Sequence, residues 1–364
     1  MSEPTRTPSK LPRKPRKKGA DDEPAALGSN PFDAAVGPDP FVQGLSDLGL
    51  STPLEPPAAF FEGIDDDFTA EPSAWRSAPP LAEVESSEPI SGLEAFVPKD
   101  VMRRVNALSY LAEGEATYDR YGFSPEVTRR AFPYLWALHR YYFRVQSEGH
   151  EHIPSRGPAV MCSNHAGLLP FDAAMIVADT VMNTDPPRLP RSIVDIWAGS
   201  LPWVNVLYAR GGQIIGTREN CADLLDDGQL MLVFPEGVAG VRKTIADRYQ
   251  LRPFRVGFIE HALKARAPIV PIAVIGSENQ APVLYNFKGL AKLLGLPAVP
   301  ITPTFPLLGP LGLLPYPVSY KLVYGEPMAL HERFDDPDSV DPDTTRALSL
   351  EVQQVVQELI DRNR

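Results

Sequence analysis

From residue 147 onward, short apolar runs alternate with segments of helical periodicity, and this alternation limits the fold more than any other feature. Parallel strands need a crossover connection, usually a helix, so the pattern is typical of a mostly parallel central sheet flanked by helices. The predicted strands are Ala159–Ser163, Arg191–Ile196, Gln213–Gly216, Leu230–Phe234, Ile269–Ile275 and Tyr320–Tyr324, and the predicted helices cover 172–183, 218–227, 255–266 and 344–362. The sequence therefore predicts an α/β domain over residues 147–364.

Residues 1–98 differ in composition from the rest of the chain. They contain 16 of the 40 prolines, open with a basic cluster at 13–18, and then carry most of the net charge of -11. Because proline interrupts helices and sheet ladders alike, we expect a disordered, Pro-rich, acidic tail. The tail is expected either to keep the chain soluble or to make contacts, through anionic lipid at the basic cluster or through a protein partner.

Residues 99–146 are predicted to be a helical segment, with helices over 101–119 and 124–146. Ser124-Pro125-Glu126 is a helix start signal, because it supplies an N-cap, a proline at the first position and an acid in the first turn. The second helix is broadly aromatic with interspersed arginines. This pattern fits a helix lying in a membrane interface, and it fits equally a helix packed on the core with snorkelling arginines.

Composition excludes several classes of protein. Cys162 and Cys221 are too few for a disulfide framework or a cysteine-rich zinc site, which favours a reducing compartment. No apolar run reaches the roughly 18 residues of a spanning helix, and the polar, Pro-rich start does not have the pattern of a secretory signal. Outside the tail the chain is nearly neutral, so we expect no nucleic-acid partner.

Residues 281–318 interrupt the strand and helix pattern. Leucine and proline dominate there, and no charged residue occurs from Leu293 to Val318. An apolar, irregular stretch must be buried or must face something other than water. We expect it either to face lipid or line an acyl chain, or to cover the core as a loop.

The first motif that can carry chemistry follows the predicted strand Ala159–Ser163. His165 and Asp172 stand there with six residues between them, and Gly167 and Pro170 favour a turn. A histidine can act as a general base near neutral pH, and a carboxylate bonded to its other ring nitrogen fixes the tautomer. The alternative is a surface histidine and an aspartate that only caps a helix.

Three further motifs lie at the ends of predicted strands, where sites gather in open α/β sheets. Phe234-Pro235-Glu236-Gly237 ends a strand in a loop that would expose the glutamate. Gly212 and Arg218 flank a short strand, a combination that suits a phosphate. The strand Ile269–Ile275 closes on a glycine and an acid. Taken singly, each motif also has an ordinary explanation as a turn, a surface arginine or core.

In this order the four motifs resemble those of the glycerolipid/lysophospholipid acyltransferase superfamily (PlsC-like). Its members carry an Asn-His…Asp motif, a Gly…Arg strand, a Phe-Pro-Glu-Gly loop and a Val-Pro strand. The resemblance covers roughly residues 147–328. It implies that His165 and Asp172 are catalytic. It also implies that the substrate is bound by Gly212, Arg218, Glu236 and Gly237.

The chain departs from the family pattern at two places. Members usually have four residues between the histidine and the aspartate, and the common Phe-Pro-Glu-Gly-Thr-Arg ends here in Val238-Ala239. The arginine associated with an acceptor phosphate is therefore missing, and the nearby candidates for anion binding are Arg242, Lys243 and Arg255. The stretches at 251–258 and 276–279 are more similar to the monoacylglycerol/diacylglycerol acyltransferase-like branch, which favours a neutral acceptor.

The resemblance implies transfer of a fatty acyl group from acyl-CoA or acyl-ACP to a hydroxyl of a glycerolipid or lysophospholipid, with no metal or other cofactor. Backbone donors near Gly212 or Gly237 are expected to stabilise the oxyanion. We expect a peripheral membrane protein on the cytoplasmic side. One alternative is a catalytically silent lipid-binding or scaffold protein of the same fold. A serine hydrolase is the other, and the G-x-S-x-G elbow that it requires is missing from the sequence.

Overall fold

The structure is a computed structural model that describes residues 75–84, 92–112, 117–166, 169–287, 289, 291 and 299–364. The predictions for residues 1–74, including the basic cluster, lie outside the described residues. Gly167, which was expected to help the turn before Asp172, also lies outside them.

Nine strands are defined in the described part: β1 Gln146–Glu148, β2 Ala159–Ser163, β3 Pro190–Val194, β4 Ile214–Ile215, β5 Leu230–Val233, β6 Ile269–Ile275, β7 Tyr285–Asn286, β8 Pro300–Ile301 and β9 Lys321–Tyr324. The central seven-stranded sheet has the order β1-β9-β6-β2-β5-β3-β4. From β6 to β4 all neighbours are parallel, and β9 joins β6 antiparallel. The strands β7 and β8 form a separate antiparallel pair.

The α-helices in the described part are α1 Lys99–Ala107, α2 Pro125–Ala137, α3 Phe171–Asn183, α4 Ile196–Ser200, α5 Val204–Arg210, α6 Arg218–Asp226, α7 Val238–Val241, α8 Gly257–Lys264 and α9 Pro342–Asn363. Helices cover both faces of the sheet, which confirms the predicted fold class. Residues of α1, α2 and α3 share one apolar cluster with Met161 and Ile272. Residues of α6, α8 and α9 share the other with the neighbouring positions Cys162 and Ala273. This alternation is the period of two that a strand buried on both faces requires.

The helical segment before the sheet is shorter than its periodicity predicts. The predicted helix 124–146 starts as expected, with Ser124 Oγ accepting from Val127 N at 3.3 Å, but it ends at Ala137 and continues as a π-type turn over Leu138–Tyr142. Its side chains Phe132 and Trp136 are buried in the core. One side of the helix therefore packs on the domain, as the core-packing alternative expects.

Part of the stretch assigned to the tail by composition contacts the domain. The indole of Trp75 lies against Gly157 and Gly228, and Trp75 Nε1 donates to Asp226 O at 3.1 Å. Further along, the buried Glu94 pairs with an arginine of α2 at 2.9 Å. Composition could not reveal these contacts, because a few anchoring side chains do not change the average of a long Pro-rich segment.

The charge-poor segment after β6 is divided between buried and exposed residues. Val299 and Pro300 are buried beside β7, whereas Leu307, Leu308 and Leu311 extend into solvent around a 3-10 turn at Gly309–Leu313. Within the described ranges, no helix combines the length and the apolar character needed to cross a bilayer.

Candidate active site

The candidate site lies at the carboxyl-terminal edge of the sheet, where the adjacent strands β6, β2 and β5 end. Asn164, the residue after β2, donates from Nδ2 to Val274 O at 2.9 Å and accepts from Val274 N at 2.8 Å. The side-chain amide of Asn164 therefore makes the two hydrogen bonds that the backbone of a neighbouring strand would make. These bonds hold the loop after β2 against β6. The next residue, His165, is held at a fixed point above the sheet.

The structure brings His165 and Asp172 together. His165 Nδ1 lies 2.7 Å from Asp172 Oδ2, and the same oxygen accepts from Ala166 N at 2.9 Å. Asp172 is fully buried in the first turn of α3, where the helix dipole favours a negative charge. A carboxylate can only accept, so Nδ1 carries the hydrogen and the neutral ring presents its lone pair at Nε2.

The charges around His165 favour its protonated form. Burial lowers the pKa of His165, but the Asp172 carboxylate raises it by its charge and hydrogen bond, and the charge of Glu236 raises it further. The ammonium of Lys243 acts in the opposite direction. The balance is a pKa above the ordinary histidine value, with 15% of the side chain accessible to solvent. This environment is suited to a base that must hold a proton for a short time.

The Phe-Pro-Glu-Gly loop after β5 packs directly against the histidine. The rings of Phe234 and His165 lie 4.6 Å apart between centroids, and Glu236 Oε1 accepts from His165 N at 3.0 Å. Gly240, in α7, allows this approach, because a Cβ there would lie 3.2 Å from His165 O and 3.0 Å from Glu236 Cβ. The loop thus forms one wall of the site.

Glu236 is buried, although the sequence predicted an exposed side chain that binds substrate. Its Oε2 accepts from Arg252 N at 2.7 Å, and its Oε1 lies 3.2 Å from Lys243 Nζ. Lys243 also approaches Glu278 Oε1 at 2.9 Å. Both oxygens of Glu236 are therefore engaged within the fold, and a role in acceptor binding stays a prediction.

The four basic residues named by the sequence occupy different places. Arg255 lies beside the Phe-Pro-Glu-Gly loop, because a Cβ on Gly237 would come within 3.1 Å of its Cζ. Arg242 is at the surface, and Lys243 is buried. Arg218 is 84% exposed and lies 3.4 Å from Glu260. It follows β4, three strands or about 14 Å from β2. Arg255 and Lys243 are thus the basic residues that the structure places at the loop, the first exposed and the second buried.

The structure does not bring Gly212 to the site. Gly212 precedes β4 and so lies toward the amino-terminal edge, where its carbonyl accepts from Arg191 Nε at 2.7 Å. Its own N–H donates to Ala209 O, and the N–H of Gly237 donates to Phe234 O. In this structure the expected oxyanion donors at these two glycines are therefore engaged within the fold.

A small apolar cavity lies next to the catalytic loop. Leu169 and Phe171, the latter adjacent to Asp172, form one wall, and Val283, Pro300 and Leu313 of the charge-poor segment form another. Gln280, which also lines the cavity, donates from Nε2 to Ala166 O at 3.2 Å. The segment that interrupts the sheet pattern therefore reaches the site itself.

The sequence did not predict the structural roles of Asn164, Gly240 and Gln280. Asn164 had a signal, because it stands next to His165 in the Asn-His motif. The other two had none, since their contacts with His165 and Ala166 join residues far apart in the sequence.

Comparison with known proteins identifies the family. Residues 144–275, which include His165, Asp172 and the Phe-Pro-Glu-Gly loop, match the family model of acyltransferases. An uncharacterised protein of Mycobacterium leprae is 35% identical over 320 residues, covering 87% of this chain and 84% of the relative. One of Mycobacterium tuberculosis is 36% identical over 271 residues, covering 73% and 75%. The chain belongs to the acyltransferase family.

Two further proteins are similar to this chain at lower sequence identity. The DGAT1/2-independent enzyme synthesizing storage lipids of Bos taurus is 26% identical over 237 residues, which is 65% of each chain. This similarity agrees with the predicted nearness to the monoacylglycerol/diacylglycerol acyltransferase-like branch. Among solved structures, the 1-acyl-sn-glycerophosphate (LPA) acyltransferase of Thermotoga maritima matches 72% of this chain and 82% of its own, with 18% identity and a TM-score of 0.42.

Proposed function

We propose that the protein transfers a fatty acyl group from a thioester donor, acyl-CoA or acyl-ACP, to a hydroxyl of a glycerolipid or lysophospholipid. The observation that carries the proposal is the 2.7 Å hydrogen bond between His165 Nδ1 and Asp172 Oδ2. It lies inside the region that matches the acyltransferase family. The thioester is the co-substrate, and the proposed chemistry needs no metal and no other cofactor.

In the proposed reaction His165 is a general base and then a general acid. Nε2 accepts the hydroxyl proton while the acceptor oxygen attacks the thioester carbonyl carbon, so that a C–O bond forms and the carbonyl electron pair moves onto oxygen. When the C–S bond breaks, the imidazolium returns the proton to the leaving thiolate. The products are an ester and a free thiol. Asp172 stabilises the imidazolium between the two steps.

The acyl chain of the donor is proposed to enter beside the catalytic loop. Leu169 and Phe171 precede Asp172 in the chain, and Pro300 and Leu313, which also line the cavity, belong to the charge-free run from Leu293 to Val318. The cavity volume of about 20 Å³ has room for about one water molecule, so the lining side chains would have to separate to admit an acyl chain beside His165. Apolar walls suit a fatty chain, because burial of each CH2 contributes about 0.8 kcal/mol.

A neutral acceptor is proposed in preference to a phosphorylated one. The arginine that follows Phe-Pro-Glu-Gly-Thr in the family is Ala239 here, and Lys243 is already paired with two carboxylates. Arg255 is the cation beside the loop. Turnover of a monoacylglycerol should therefore survive Arg255→Ala, with kcat/KM within about threefold of wild type. Faster turnover of lysophosphatidate than of monoacylglycerol, abolished by Arg255→Ala, would reverse this assignment.

The chemistry is tested by radiolabelled acyl transfer with purified protein. We expect His165→Ala to abolish the transfer and His261→Ala, on α8, to leave it unchanged. Full activity in His165→Ala would remove the proposed mechanism. A wild-type protein that retains lipid but turns over neither acyl-CoA nor acyl-ACP would instead support the silent scaffold.

We also propose peripheral membrane association through the catalytic edge. The helices α4 and α5 follow the carboxyl end of β3, and residues 196–209 contain no charged side chain. Trp203, between the two helices, is 86% exposed, and Val206 and Leu207 are also exposed. Tryptophan is enriched at membrane interfaces, because its ring is apolar and its N–H remains hydrated.

A second exposed apolar element flanks the site on the other side. Leu307, Leu308 and Leu311 belong to the segment that follows β6, whereas Trp203 follows β3. Since β6 and β3 lie on opposite sides of β2, the two apolar elements stand on either side of His165 at one sheet edge. Basic side chains on the same edge, such as Arg255, would suit anionic headgroups.

Liposome co-sedimentation tests the membrane proposal. We expect Trp203→Ser with Leu207→Ser to lower binding to anionic vesicles about tenfold or more. Leu350→Ser serves as the matched control, because Leu350 is an exposed leucine on α9. Equal vesicle binding by wild type, the double variant and the control would contradict a docking role for α4 and α5.

A further inference from the structure

A buried lysine lies behind the catalytic loop. Lys243 follows α7, its side chain is 4% exposed, and its Nζ lies 3.2 Å from Glu236 Oε1 and 2.9 Å from Glu278 Oε1. An ammonium is rarely buried, because its desolvation is compensated only by close ionic partners. Two carboxylates from different parts of the chain supply that compensation here.

The two carboxylates connect Lys243 to the active site and to the end of β6. Glu236 accepts from His165 N at 3.0 Å, so the group that pairs with the ammonium also fixes the backbone of the histidine. Glu278 follows β6 in a 3-10 turn and accepts from Tyr249 N. The lysine thus joins the loop after β5 to the loop after β6, and His165 lies in the loop after β2, the strand between them.

We propose that Lys243 is a positioning residue for acyl transfer, because its shared ammonium holds the Glu236 carboxylate that in turn holds His165. The inference rests on the proposed function, since it requires His165 as the base. In this proposal the cation after the Phe-Pro-Glu-Gly loop pairs with Glu236 and Glu278 and does not bind a substrate anion. The loop can therefore depart from Phe-Pro-Glu-Gly-Thr-Arg and still present a fixed base.

The same arrangement also affects the protonation of His165. Three ionisable groups act on the His165 ring: Asp172 and Glu236 raise its pKa, and Lys243 lowers it. Loss of the ammonium would leave the Glu236 carboxylate uncompensated near the imidazole. The pKa of His165 should then rise, and the neutral base should form only at higher pH.

The test combines NMR titration of the His165 ring with the pH profile of kcat/KM. The His165→Ala spectrum assigns the resonance. In Lys243→Met we expect a higher ring pKa, an acidic limb displaced to higher pH, and kcat lowered about tenfold with KM within about twofold of wild type. Lys264→Met, which removes an exposed lysine on α8, should change none of these.

The double variant Lys243→Met/Glu236→Gln makes the test specific. Because it removes one positive and one negative charge, the ring pKa should return toward the wild-type value. Should Lys243→Met fail to fold, Glu236→Gln and the double variant are compared, and addition of Lys243→Met to Glu236→Gln should again raise the ring pKa.

Two outcomes would overturn the inference. One is an unchanged ring pKa and pH profile after loss of the lysine. The other is an activity loss that only follows the folded fraction measured by thermal melting. Activity in His165→Ala would refute the proposed function separately, since the NMR titration needs no turnover.

Discussion

The imidazole of His165 and the carboxylate of Asp172 meet at 2.7 Å across six intervening residues. The longer loop does not separate the pair, because α3 begins at Phe171 and places the aspartate in its first turn. Asp172 Oδ2 also accepts from Ala166 N, so one oxygen holds both the ring and the backbone of the loop. The carboxylate therefore has two tasks, to orient the base and to shape the turn that carries it.

Asp172→Asn is expected to lower kcat/KM about 10²- to 10⁴-fold, the range typical of a positioned acid–base group. The amide is neutral and cannot balance an imidazolium, and it can turn its NH2 toward Nδ1. Steady-state kinetics measure the effect, and thermal melting shows whether the variant is folded. A folded variant with kcat/KM within about threefold of wild type would contradict the role given to the carboxylate.

The pH dependence of the wild-type enzyme follows from the charges around the base. Because the base must be neutral to accept a proton, kcat/KM should fall as the pH decreases through the pKa of His165. Asp172 and Glu236 place that pKa above the ordinary value of 6.5, so the acidic limb should lie above pH 6.5. In Asp172→Asn the acidic limb of the remaining kcat/KM profile should move to lower pH. An acidic limb at or below pH 6.5 in the wild type would show that the pKa of His165 is not raised.

Asn164→Ala is expected to reduce activity by loosening the loop that carries His165. The substitution removes both hydrogen bonds to Val274 and leaves two buried backbone groups without these partners. Such a loss destabilises by about 1–3 kcal/mol for each unsatisfied group. We expect a lower free energy of unfolding in urea and a lower kcat in the folded enzyme. A variant with wild-type stability and kcat would show that the clamp is dispensable.

Gly240→Ala tests the close approach of α7 to the catalytic loop. The added methyl group would lie 3.0 Å from Glu236 Cβ and 3.2 Å from His165 O, so the loop has to shift by a few tenths of an ångström. We expect kcat to fall about tenfold or more, because small displacements of a catalytic group are costly. Gly257→Ala is the control, since no atom lies within 4 Å of a Cβ at that position. Equal kcat values for the two variants would refute this reading.

The sequence pattern predicts the limits of a strand well where the strand is buried along its whole length. The strands Ala159–Ser163 and Ile269–Ile275 have the predicted limits, and both are buried along their whole length. Prediction fails where a pattern can be continued in two ways. The apolar spacing of 124–146 extends past Ala137, but the chain there adopts a π-type turn. The short helices in 196–210 were missed, since an apolar stretch without polar spacing has no helical signature.

At the site, sequence order predicts which loops meet but not what each charged residue touches. The pairing of His165 with Asp172 could be predicted because the two residues are only seven positions apart in the chain. The burial of Glu236 could not, since it depends on Lys243 and on backbone groups of His165 and Arg252. A buried ion pair looks the same in the sequence as two surface charges, and only the folded chain distinguishes them.

Asp179, two helical turns after Asp172 on α3, is the centre of a separate buried network. It is fully buried, and it accepts hydrogen bonds from side chains of the preceding helical segment, of β1 and its following loop, of β9 and of its own helix. The donors are Ser147 Oγ, Tyr324 Oη, Asn183 Nδ2, His139 Nε2 and His150 Nε2, at 2.7 to 3.0 Å. The carboxylate therefore connects the helical segment to the edge of the sheet.

Asp179→Asn is expected to destabilise the protein by about 3–5 kcal/mol at neutral pH, the usual cost of removing one partner from a buried charged network. Burial raises the pKa of Asp179, but the hydrogen bonds and charges of His139 and His150 lower it more, to well below the ordinary 3.8. A lowered folded-state pKa means that the stabilisation is complete above about pH 4 and is lost as the pH falls below it. The difference in unfolding free energy between wild type and Asp179→Asn should accordingly shrink between pH 5 and pH 3 in urea titrations. The exposed Asp343→Asn should change stability little at any of these pH values. A difference that stays constant across this range would mean that the charge of Asp179 does not stabilise the fold.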